Sequence, residues 1–376
     1  MLVVELEPAP YKVDLWNAFV DTHQFDVYVL YSTAKNWEPD GGHDFRELPP
    51  ERYASRVFYG KGIKSFVNAS SSFLSLLIRW RPDVISVCGY VHSVTLLSIF
   101  ACILCRRKYA VHGDKFNNNP SRNFTDFIKY GLRNLLRRLI FLTCEAILVS
   151  GRLGRESALV AGCSHNKIFD FPYVVNRERL QRDEPAQIPV ACSEDLAARS
   201  AIILFSGRLI ERKGLSTLIH ALAPLGDSHN WALWIEGSGP QMVQNRKEVE
   251  KAGLEGHCRF LGFCQMSLHS WLLRQCDIVV VPSLSDSWGI VVDEGMQMGK
   301  AVITSTGTGS GADRVRNREN GLAFSAGDSE ELSTLIRGLL AHPERRVELG
   351  SSAFNTARRF GPKVNAETMI RILQSA

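Results

Sequence analysis

The chain has 376 residues, of which 45% are hydrophobic and 22% are charged, and its formal net charge at pH 7 is +5. A chain of this length exceeds one ordinary hydrophobic core and predicts about two domains. The composition is typical of a globular, soluble protein. The mild positive charge is compatible with an anionic substrate or an anionic membrane surface, but it is too small to indicate a nucleic-acid partner.

The nine cysteines lie mostly inside apolar runs, which indicates buried thiols in a reducing compartment. Cys102 and Cys105 form a lone CxxC that no second cysteine pair completes as a zinc site. The N-terminus does not resemble a signal peptide, and the longest apolar run, 94–105, is shorter than the roughly 20 residues of a membrane span. We therefore expect a cytoplasmic protein, which could attach peripherally to the inner face of the membrane.

The first half alternates short β-branched runs with helical patterns. Helices are predicted at 15–22, 72–80 and 123–141. The buried parallel strands are predicted at 2–6, 25–31, 83–89, 108–113 and 146–151. This alternation predicts a doubly wound α/β sheet.

The composition changes at 177–199, which is charged, contains two prolines and lacks periodicity. We interpret this stretch as an interdomain linker between an N-terminal domain, 1–176, and a C-terminal domain, 200–361. A last helix, 362–376, follows the second sheet and could cross back onto the first domain.

The second domain repeats the alternation and is also predicted to be Rossmann-like. Its strands are predicted at 201–207, 231–237, 258–263, 277–283 and 300–305. Its helices are predicted at 214–225, 240–252, 267–275, 291–299 and 329–341.

The stretch "FSGRLIERKGL", 205–215, follows the first strand of this domain. Ligands of open α/β sheets bind beyond the carboxyl ends of the strands. Gly207 permits a tight turn there, and Arg208 and Lys213 together could clamp a diphosphate. The alternative is a solvated basic loop.

The stretch "SDSWGIVVDEGMQMGK", 285–300, places Asp286 before a predicted helix and Glu294 inside it. The start of a helix offers free N–H groups to an anion. Both carboxylates could border that site and accept hydrogen bonds from sugar hydroxyls. The alternative is that Asp286 caps the helix and that Glu294 is solvated.

Two further glycine-rich stretches, "EGSGPQ" at 236–241 and "TSTGTGSGADRV" at 304–315, follow predicted strands of the same domain. Each permits close approach of the backbone to a ligand or to a neighbouring element. In contrast, no GxGxxG opens the first half, which argues against an NAD dehydrogenase.

In order and spacing, these stretches resemble the retaining glycosyltransferases of family 4, which have the GT-B fold. "SGRLIERKG", "IEGSGP", "FLGF", the acid pair and "NGLAF" resemble that family's C-terminal domain over about 200–330. The resemblance is weaker over 8–175, where it rests on "APYKVDLWNAF", "PDVISVCGY", "VHGD" and "PYVVN".

The resemblance implies two facing Rossmann-like domains with an interdomain cleft. It also implies transfer of a sugar from a nucleoside-diphosphate sugar to a saccharide or lipid-linked acceptor, in bacterial surface polysaccharide, lipopolysaccharide or glycolipid biosynthesis. The anomeric configuration would be retained through an oxocarbenium-like state. No metal would be needed, because basic side chains neutralise the leaving diphosphate. The alternatives are a sugar-nucleotide epimerase of similar fold and a non-catalytic relative that only binds sugar nucleotides.

Roles for individual residues follow from the resemblance. Arg208 and Lys213 would hold the diphosphate, and Glu294 would bind the ribose. Asp286, which replaces the family's glutamate, would face the donor sugar. His112 would lie near the reacting sugar, although a structural strand-end histidine is the alternative. The remaining donor-binding positions are Gly207, Ser287, Trp288, Gly289 and, beside the base, Phe263 and Cys264.

The predicted helix 123–141 is amphipathic and could lie on an anionic leaflet. The alternative is a packed domain helix with a solvated basic face. Its apolar stripe is Phe124, Ile128, Leu132, Leu135 and Leu139, and its cations are Lys129, Arg133, Arg137 and Arg138.

Overall fold

The computed structural model describes residues 1–6, 8–33, 48–59, 63–90, 92–114, 116, 124–198, 200–228 and 230–375. The chain divides into two compact units. Val174–Gly361 forms the C-terminal unit, whereas the N-terminal unit combines most of the preceding chain with Pro362 onward.

Within the described residues, the N-terminal unit contains seven parallel strands in the order β3-β2-β1-β4-β5-β6-β7. The predicted doubly wound sheet is therefore confirmed. The strands are β1 (Leu2–Glu5), β2 (Tyr28–Thr33), β3 (Ala54–Tyr59), β4 (Ile85–Cys88), β5 (Tyr109–Gly113), β6 (Ala146–Val149) and β7 (Ile168–Asp170). The helices are α1 (Pro10–Val20), α2 (Ile63–Arg79), α3 (Ser93–Leu104), α4 (Phe124–Thr143) and α5 (Gly151–Val160), to which the C-terminal α15 (Pro362–Ser375) is added.

The central strands of this sheet are largely apolar because helices cover both of its faces. All four residues of β1 are buried, as are all four of β6. One face packs against α2, α3, α4 and α5. The opposite face packs against α1 and α15, whose Met369 and Ile370 share a core with Trp16 and Phe19.

Within the described residues, the C-terminal unit contains six parallel strands in the order β10-β9-β8-β11-β12-β13. The strands are β8 (Ala201–Ser206), β9 (Trp231–Glu236), β10 (Cys258–Gly262), β11 (Ile278–Val281), β12 (Ala301–Ser305) and β13 (Leu322–Phe324). The helices are α6 (Arg177–Arg182), α7 (Val190–Ala197), α8 (Leu215–Leu222), α9 (Met242–Lys251), α10 (Met266–Gln275), α11 (Ile290–Gln297), α12 (Gly309–Arg314), α13 (Ser329–Ala341) and α14 (Pro343–Ala357).

The order of these strands reverses between β8 and β11. From β8 the sheet grows through β9 to β10 on one side and through β11 to β13 on the other. Loops that leave the carboxyl ends of β8 and β11 therefore diverge and open a crevice between them. In open α/β sheets such a switch point is where ligands bind. The loops after these two strands contain the stretches 205–215 and 285–300.

The prediction of a linker at 177–199 is wrong. Arg177–Arg182 forms α6 and Val190–Ala197 forms α7, and Leu180 and Cys192 are fully buried in a core of the C-terminal unit. Asn176 caps α6 by accepting a hydrogen bond from the Arg179 amide at 3.3 Å. The charged residues that suggested a linker are thus the outer faces of two short helices.

Of the helices that the structure describes, none combines the length and the apolarity that crossing a bilayer requires. The longest apolar run of the sequence forms most of α3, in which Ile99 and Cys102 are fully buried.

Candidate functional site

The loop after β8 turns sharply against the end of β11. Glu211–Lys213 forms one 3₁₀ turn, and Gly214 follows it with a φ of 70°. A Cβ at Gly214 would lie 2.0 Å from the carbonyl oxygen of Pro282. Only glycine tolerates both the left-handed conformation and this contact. The glycine therefore places Lys213 beside the loop that leaves β11.

Lys213 and Asp286 meet across the switch point. The Lys213 Nζ lies 2.5 Å from Asp286 Oδ2, and the Arg212 Nη1 lies 3.4 Å from Asp286 Oδ1. The side chains of Lys213 and Asp286 are 19% and 10% exposed, so their attraction is only partly screened by water. Arg212, which the sequence analysis did not select, is therefore a third cation at this edge.

Gly207 and Arg208 begin this same loop. The Gly207 amide donates to the Glu236 carbonyl oxygen at 3.0 Å, and the Ile210 amide donates to the Arg208 carbonyl oxygen at 2.9 Å. Both residues are partly exposed. The structure thus places Gly207, Arg208 and Lys213 in one turn at the carboxyl edge of the sheet.

The backbone of Asp286 is held by the glycine-rich stretch 304–315. Its amide donates to the Gly307 carbonyl oxygen at 2.8 Å, and its carbonyl accepts from the Gly309 amide at 3.1 Å. The Ser310 hydroxyl donates to the Gly289 carbonyl oxygen at 2.7 Å. The loop before α11 is therefore fixed on one side, and the Asp286 carboxylate is presented on the other.

Helix α11 begins after Gly289, which has a φ of 84°, and no described side chain caps it. The alternative in which Asp286 caps this helix is wrong, because its carboxylate contacts Lys213 and Arg212 instead. The indole of Trp288 is buried, and the Arg314 guanidinium lies 5.1 Å from its centroid. In the stretch from Ser287 to Gly289, Trp288 can thus offer a ligand its backbone but not its ring.

Glu294 is buried, so the alternative in which it is solvated is also wrong. Its Oε2 lies 3.2 Å from His269 Nε2, and the Nδ1 of the same ring lies 2.7 Å from Glu236 Oε2. Glu236 is the last residue of β9, His269 lies in α10 and Glu294 lies in α11. Three elements therefore bring together a buried acid–imidazole–acid cluster, of which the sequence analysis selected only Glu294.

Burial of His269 disfavours its protonation, but the neighbouring carboxylates of Glu236 and Glu294 outweigh burial and raise its pKa well above the usual value. The imidazole is then charged at neutral pH and can donate from both nitrogens.

Phe263 and Cys264 follow the end of β10. The Gly237 amide donates to the Gly262 carbonyl oxygen at 2.7 Å, which places this turn beside the end of β9. Cys264 is buried and its thiol donates to the Gly262 carbonyl oxygen at 3.7 Å, whereas Phe263 is partly exposed. Burial raises the pKa of the Cys264 thiol, which therefore stays protonated. This turn can border a ligand only through Phe263 and its backbone.

His112 lies in β5 of the N-terminal unit. It is 8% exposed, and its Nε2 has no hydrogen-bond partner among the described residues. Burial lowers its pKa, against the opposing effect of Asp114 and Glu5. The ring is therefore neutral, and its Nε2 can either donate a hydrogen bond to a ligand or accept one from it, depending on the tautomer.

A second polar cluster, which the sequence analysis missed, lines the same edge of the N-terminal sheet. Lys12 Nζ lies 2.7 Å from Glu5 Oε2, and both side chains are buried. Asp114 accepts from the Ser150 hydroxyl at 2.7 Å and from the Tyr173 hydroxyl at 3.2 Å. The signal in the sequence was that Glu5 ends a buried strand, that Ser150 directly follows one, and that His112 is the second-last residue of another.

Residues 193–356 match the family model described as glycosyl transferases group 1. This match covers most of the C-terminal unit, Val174–Gly361. The lipopolysaccharide core biosynthesis glycosyltransferase LpsE of Rhizobium meliloti (strain 1021) is 28% identical over 203 residues, which cover 54% of this chain and 54% of LpsE. The D-inositol 3-phosphate glycosyltransferase of Corynebacterium glutamicum (strain R) is 31% identical over 182 residues, which cover 46% of this chain and 43% of that protein.

The chain thus spans about half the length of the curated relatives that it matches. The residues that match the family model, 193–356, include Lys213, Asp286 and Glu294.

Solved structures extend the likeness to the whole chain. Anabaena HepE in complex with UDP and glucose has a TM-score of 0.75 at 16% identity, with complete coverage of both chains. WaaG, described as a glycosyltransferase involved in lipopolysaccharide biosynthesis, has a TM-score of 0.69 at 16% identity, again with complete coverage. At this identity the likeness concerns the fold alone. The predicted GT-B fold, with two Rossmann-like domains, is thereby confirmed.

Proposed function

We propose that this protein is a retaining glycosyltransferase of family 4 that transfers a sugar from a nucleoside-diphosphate sugar to a saccharide or lipid-linked acceptor. The observation that carries the proposal is the contact between Lys213 and Asp286 at the switch point of the C-terminal sheet. It joins a cation suited to a diphosphate with a carboxylate suited to sugar hydroxyls, at the edge where such folds bind ligands.

The basic turn after β8 would bind the diphosphate of the donor. Arg208 offers a planar fork and Lys213 a point charge, and both would neutralise the phosphate oxygens as the sugar departs. Stabilisation of developing charge by groups already in place is usually the largest catalytic term. Asp286 holds the Lys213 ammonium at this edge before the donor arrives. Because the cations are supplied by the protein, the transfer would need no metal ion.

The sugar would leave as an oxocarbenium-like species, and the acceptor would attack the face from which the diphosphate departs. Asp286 would accept hydrogen bonds from the hydroxyls of the donor sugar, and the backbone from Ser287 to Gly289 would face its phosphate. Glu294 would bind the ribose, and Phe263 would border the base. The neutral, buried His112 would supply a hydrogen bond to the reacting sugar.

The relatives support a role in the assembly of surface polysaccharide. LpsE is named for lipopolysaccharide core biosynthesis, and solved structures of HepE contain UDP or UDP-glucose. A saccharide or lipid-linked acceptor is therefore the acceptor class that we propose, with a bacterial envelope polysaccharide or glycolipid as the product.

A thermal-shift screen with UDP, GDP and ADP tests the donor site directly. A ligand that binds only the native state stabilises it by about 2.7 kcal/mol at a hundredfold excess over its Kd. We expect one nucleotide to raise the melting temperature of the wild type, with or without EDTA. Lys213→Ala should abolish that rise. Lys247 is an exposed cation on α9, and the control variant Lys247→Ala should preserve the rise. Equal stabilisation of wild type and Lys213→Ala would contradict the proposal.

Helix α4 supports a membrane-facing role for the N-terminal unit. Leu132, Leu135, Leu139 and Leu142 are 62%, 67%, 37% and 78% exposed, so the apolar stripe faces water instead of the core. Arg137 instead turns inward and donates to the Phe116 carbonyl oxygen. The side chains of Phe124, Ile128 and Lys129 lie outside the described residues.

We therefore propose that α4 docks on an anionic bilayer. Exposed leucines would enter the interface, while the exposed Arg133 and Arg138 would contact lipid phosphates.

Flotation with vesicles of phosphatidylcholine and phosphatidylglycerol tests this docking. Leu132, Leu135 and Leu142 changed together to Ser should abolish flotation, because the apolar insertion is lost. Arg133 and Arg138 changed to Gln should weaken it about tenfold or more, since each cation near an anionic surface contributes roughly 1 kcal/mol. As a control, the exposed Val243 and Val347 of the C-terminal unit are changed to Ser, which should leave flotation unchanged. Absence of wild-type flotation would overturn the docking.

A further inference from the structure

Burying Glu236, His269 and Glu294 costs more free energy of folding than burying apolar residues in their place would. The three residues are 6%, 6% and 7% exposed, yet each contains an ionisable side chain. Buried charges are expensive unless they are paired, and replacing such clusters with apolar residues often stabilises a protein. Stability alone therefore does not account for this cluster.

The cluster has more negative than positive charge, and it has more acceptor oxygens than donated hydrogen bonds. A protonated His269 and two carboxylates leave one excess negative charge at the carboxyl edge of β9. His269 donates to the Oε2 atoms of both Glu236 and Glu294. The second oxygen of Glu294, Oε1, accepts no hydrogen bond from a described residue. The imidazole thus fixes one oxygen of Glu294 and leaves the other to accept from a ligand.

We propose that His269 is a positioning residue that holds Glu294 so that its Oε1 accepts hydrogen bonds from the ribose hydroxyls of the donor nucleotide. Glu236 orients the ring, because it accepts the hydrogen bond from Nδ1–H and so points Nε2–H at Glu294. The inference rests on the proposed donor site. It adds a pair of residues, on β9 and α10, that determine selectivity for ribonucleotides over deoxyribonucleotides.

The surroundings of His269 define how this selectivity should respond to pH. Among the described residues, the charged groups that act on the ring are Glu236 from β9 and Glu294 from α11. Cys264 and Cys276 lie near Glu236, and both thiols are neutral because burial raises the pKa of each. The selectivity of the wild type should therefore persist at neutral pH, because the raised pKa keeps the ring protonated there.

Calorimetric titration with UDP, GDP and ADP and with their 2′-deoxy counterparts tests the proposal, using the pair that binds the wild type most tightly. We expect the wild type to prefer the ribonucleotide by about tenfold, the value of one hydrogen bond to a charged group. His269→Gln should lose most of that preference because its affinity for the ribonucleotide falls, while its affinity for the deoxyribonucleotide is unchanged. A residue with only a structural role would instead lower both affinities together, and that result would overturn the proposal.

Glu236→Gln provides a second variant that preserves the volume of the site. Without this carboxylate the ring titrates nearer its ordinary pKa of about 6.5. We expect the ribose preference of this variant to be present at pH 6 and lost at pH 8.5. A preference that stays constant over this range would overturn the role of Glu236.

His257→Gln is the matched control. Its Nδ1–H donates to the Trp231 carbonyl oxygen at 2.9 Å, at the opposite edge of the same sheet, so this substitution should leave the ribose preference intact. Failure of the proposed function has a separate signature, because no nucleoside diphosphate would then bind the wild type. Binding without any ribose preference would instead leave the donor site standing and overturn the role of His269.

Discussion

Asp286 and an incoming diphosphate compete for the same ammonium group. In the structure Lys213 lies 2.5 Å from the carboxylate, and the side chain of Asp286 is only 10% exposed. Asp286→Asn removes the competitor but leaves the turn in place. We therefore expect this variant to bind the free nucleoside diphosphate at least as tightly as the wild type. Its rate of sugar transfer should fall by about 10²-fold, because the hydroxyls of the donor sugar lose their charged acceptor.

Calorimetric titration and initial transfer rates separate the two effects. Glu319→Gln, which removes an exposed carboxylate of the same unit, should change neither quantity. Weaker nucleotide binding by Asp286→Asn would mean that this carboxylate supports the diphosphate site instead of competing with it.

The stability of the protein should report the charge of His269. Its pKa is raised in the folded state, so its contribution to stability is complete below the unfolded pKa of about 6.5 and is lost as pH rises through the folded pKa. The difference in free energy of unfolding between wild type and His269→Gln should therefore be largest near pH 6 and should shrink under alkaline conditions. Urea unfolding across this range measures it, and a difference that grows with pH would contradict the assignment.

The sequence predicted one part of this site and not the other for a physical reason. Asp286 and Glu294 are close along the chain and flank one helix start, so local spacing places them together. Glu236 and His269 are 33 residues apart and meet only because α10 packs beside the end of β9. In the sequence, His269 lies in "MSLHSWLLRQ" between Ser267 and Ser270, and no local pattern distinguishes it from an ordinary helical histidine.

At the scale of the element, the turn before α8 depends on Gly214. Its φ of 70° is left-handed, and a Cβ added at this position would lie 2.0 Å from the Pro282 carbonyl oxygen, so the backbone must shift in any variant. We expect Gly214→Ala to lower the free energy of unfolding by about 2–4 kcal/mol and to weaken nucleotide binding, since Lys213 moves with the turn.

Gly338 in α13 is the control, because a Cβ there meets no atom within 4 Å. Gly338→Ala should stabilise the protein by roughly 0.5–1 kcal/mol, the helix preference of Ala over Gly. Urea unfolding of both variants makes the comparison. Equal changes in the free energy of unfolding for the two substitutions would show that the turn at Gly214 accommodates a Cβ without strain.

The strands in the middle of each sheet were predictable, whereas three of the four edge strands that the structure describes were not. Central strands such as β8 and β11 are continuous buried apolar runs, and all five strands predicted for the C-terminal unit are confirmed. The marginal strands β3, β7 and β13 escaped prediction. β3 is "ASRVFY", and β7 and β13 have three residues each, so they lack a long apolar signature. Helix α4 was placed correctly, but its periodicity could not reveal that the apolar stripe faces water.

At the scale of the whole molecule, the charged composition of 177–199 led to a wrong prediction of the boundary between the two units. The stretch 177–199 is rich in charge because α6 and α7 are short surface helices, each with few buried positions. The first core residues of the C-terminal unit are Val175 and Leu180, ahead of the linker end that composition suggested. A window that averages polarity cannot detect a helix that buries one or two residues.

The chain ends by returning to the unit in which it began. In α15, Met369 is fully buried and Ile370 is 4% exposed, and both pack with Trp16 and Phe19 of α1. Asn365 adds a hydrogen bond from its side-chain amide to the Pro172 carbonyl oxygen. A helix distant in sequence therefore supplies part of the N-terminal core, and its loss should destabilise that unit before the other.

Met369→Ala tests this dependence, because truncating a buried methionine costs about 2–5 kcal/mol. Hydrogen exchange followed by mass spectrometry should show faster exchange in β1, β2 and α1, while β8, β9 and β11 keep the protection of the wild type. Val364→Ala, at a 42% exposed position of the same helix, should leave exchange unchanged. Equal loss of protection in both units would mean that they unfold as one cooperative body, so that α15 stabilises the entire chain.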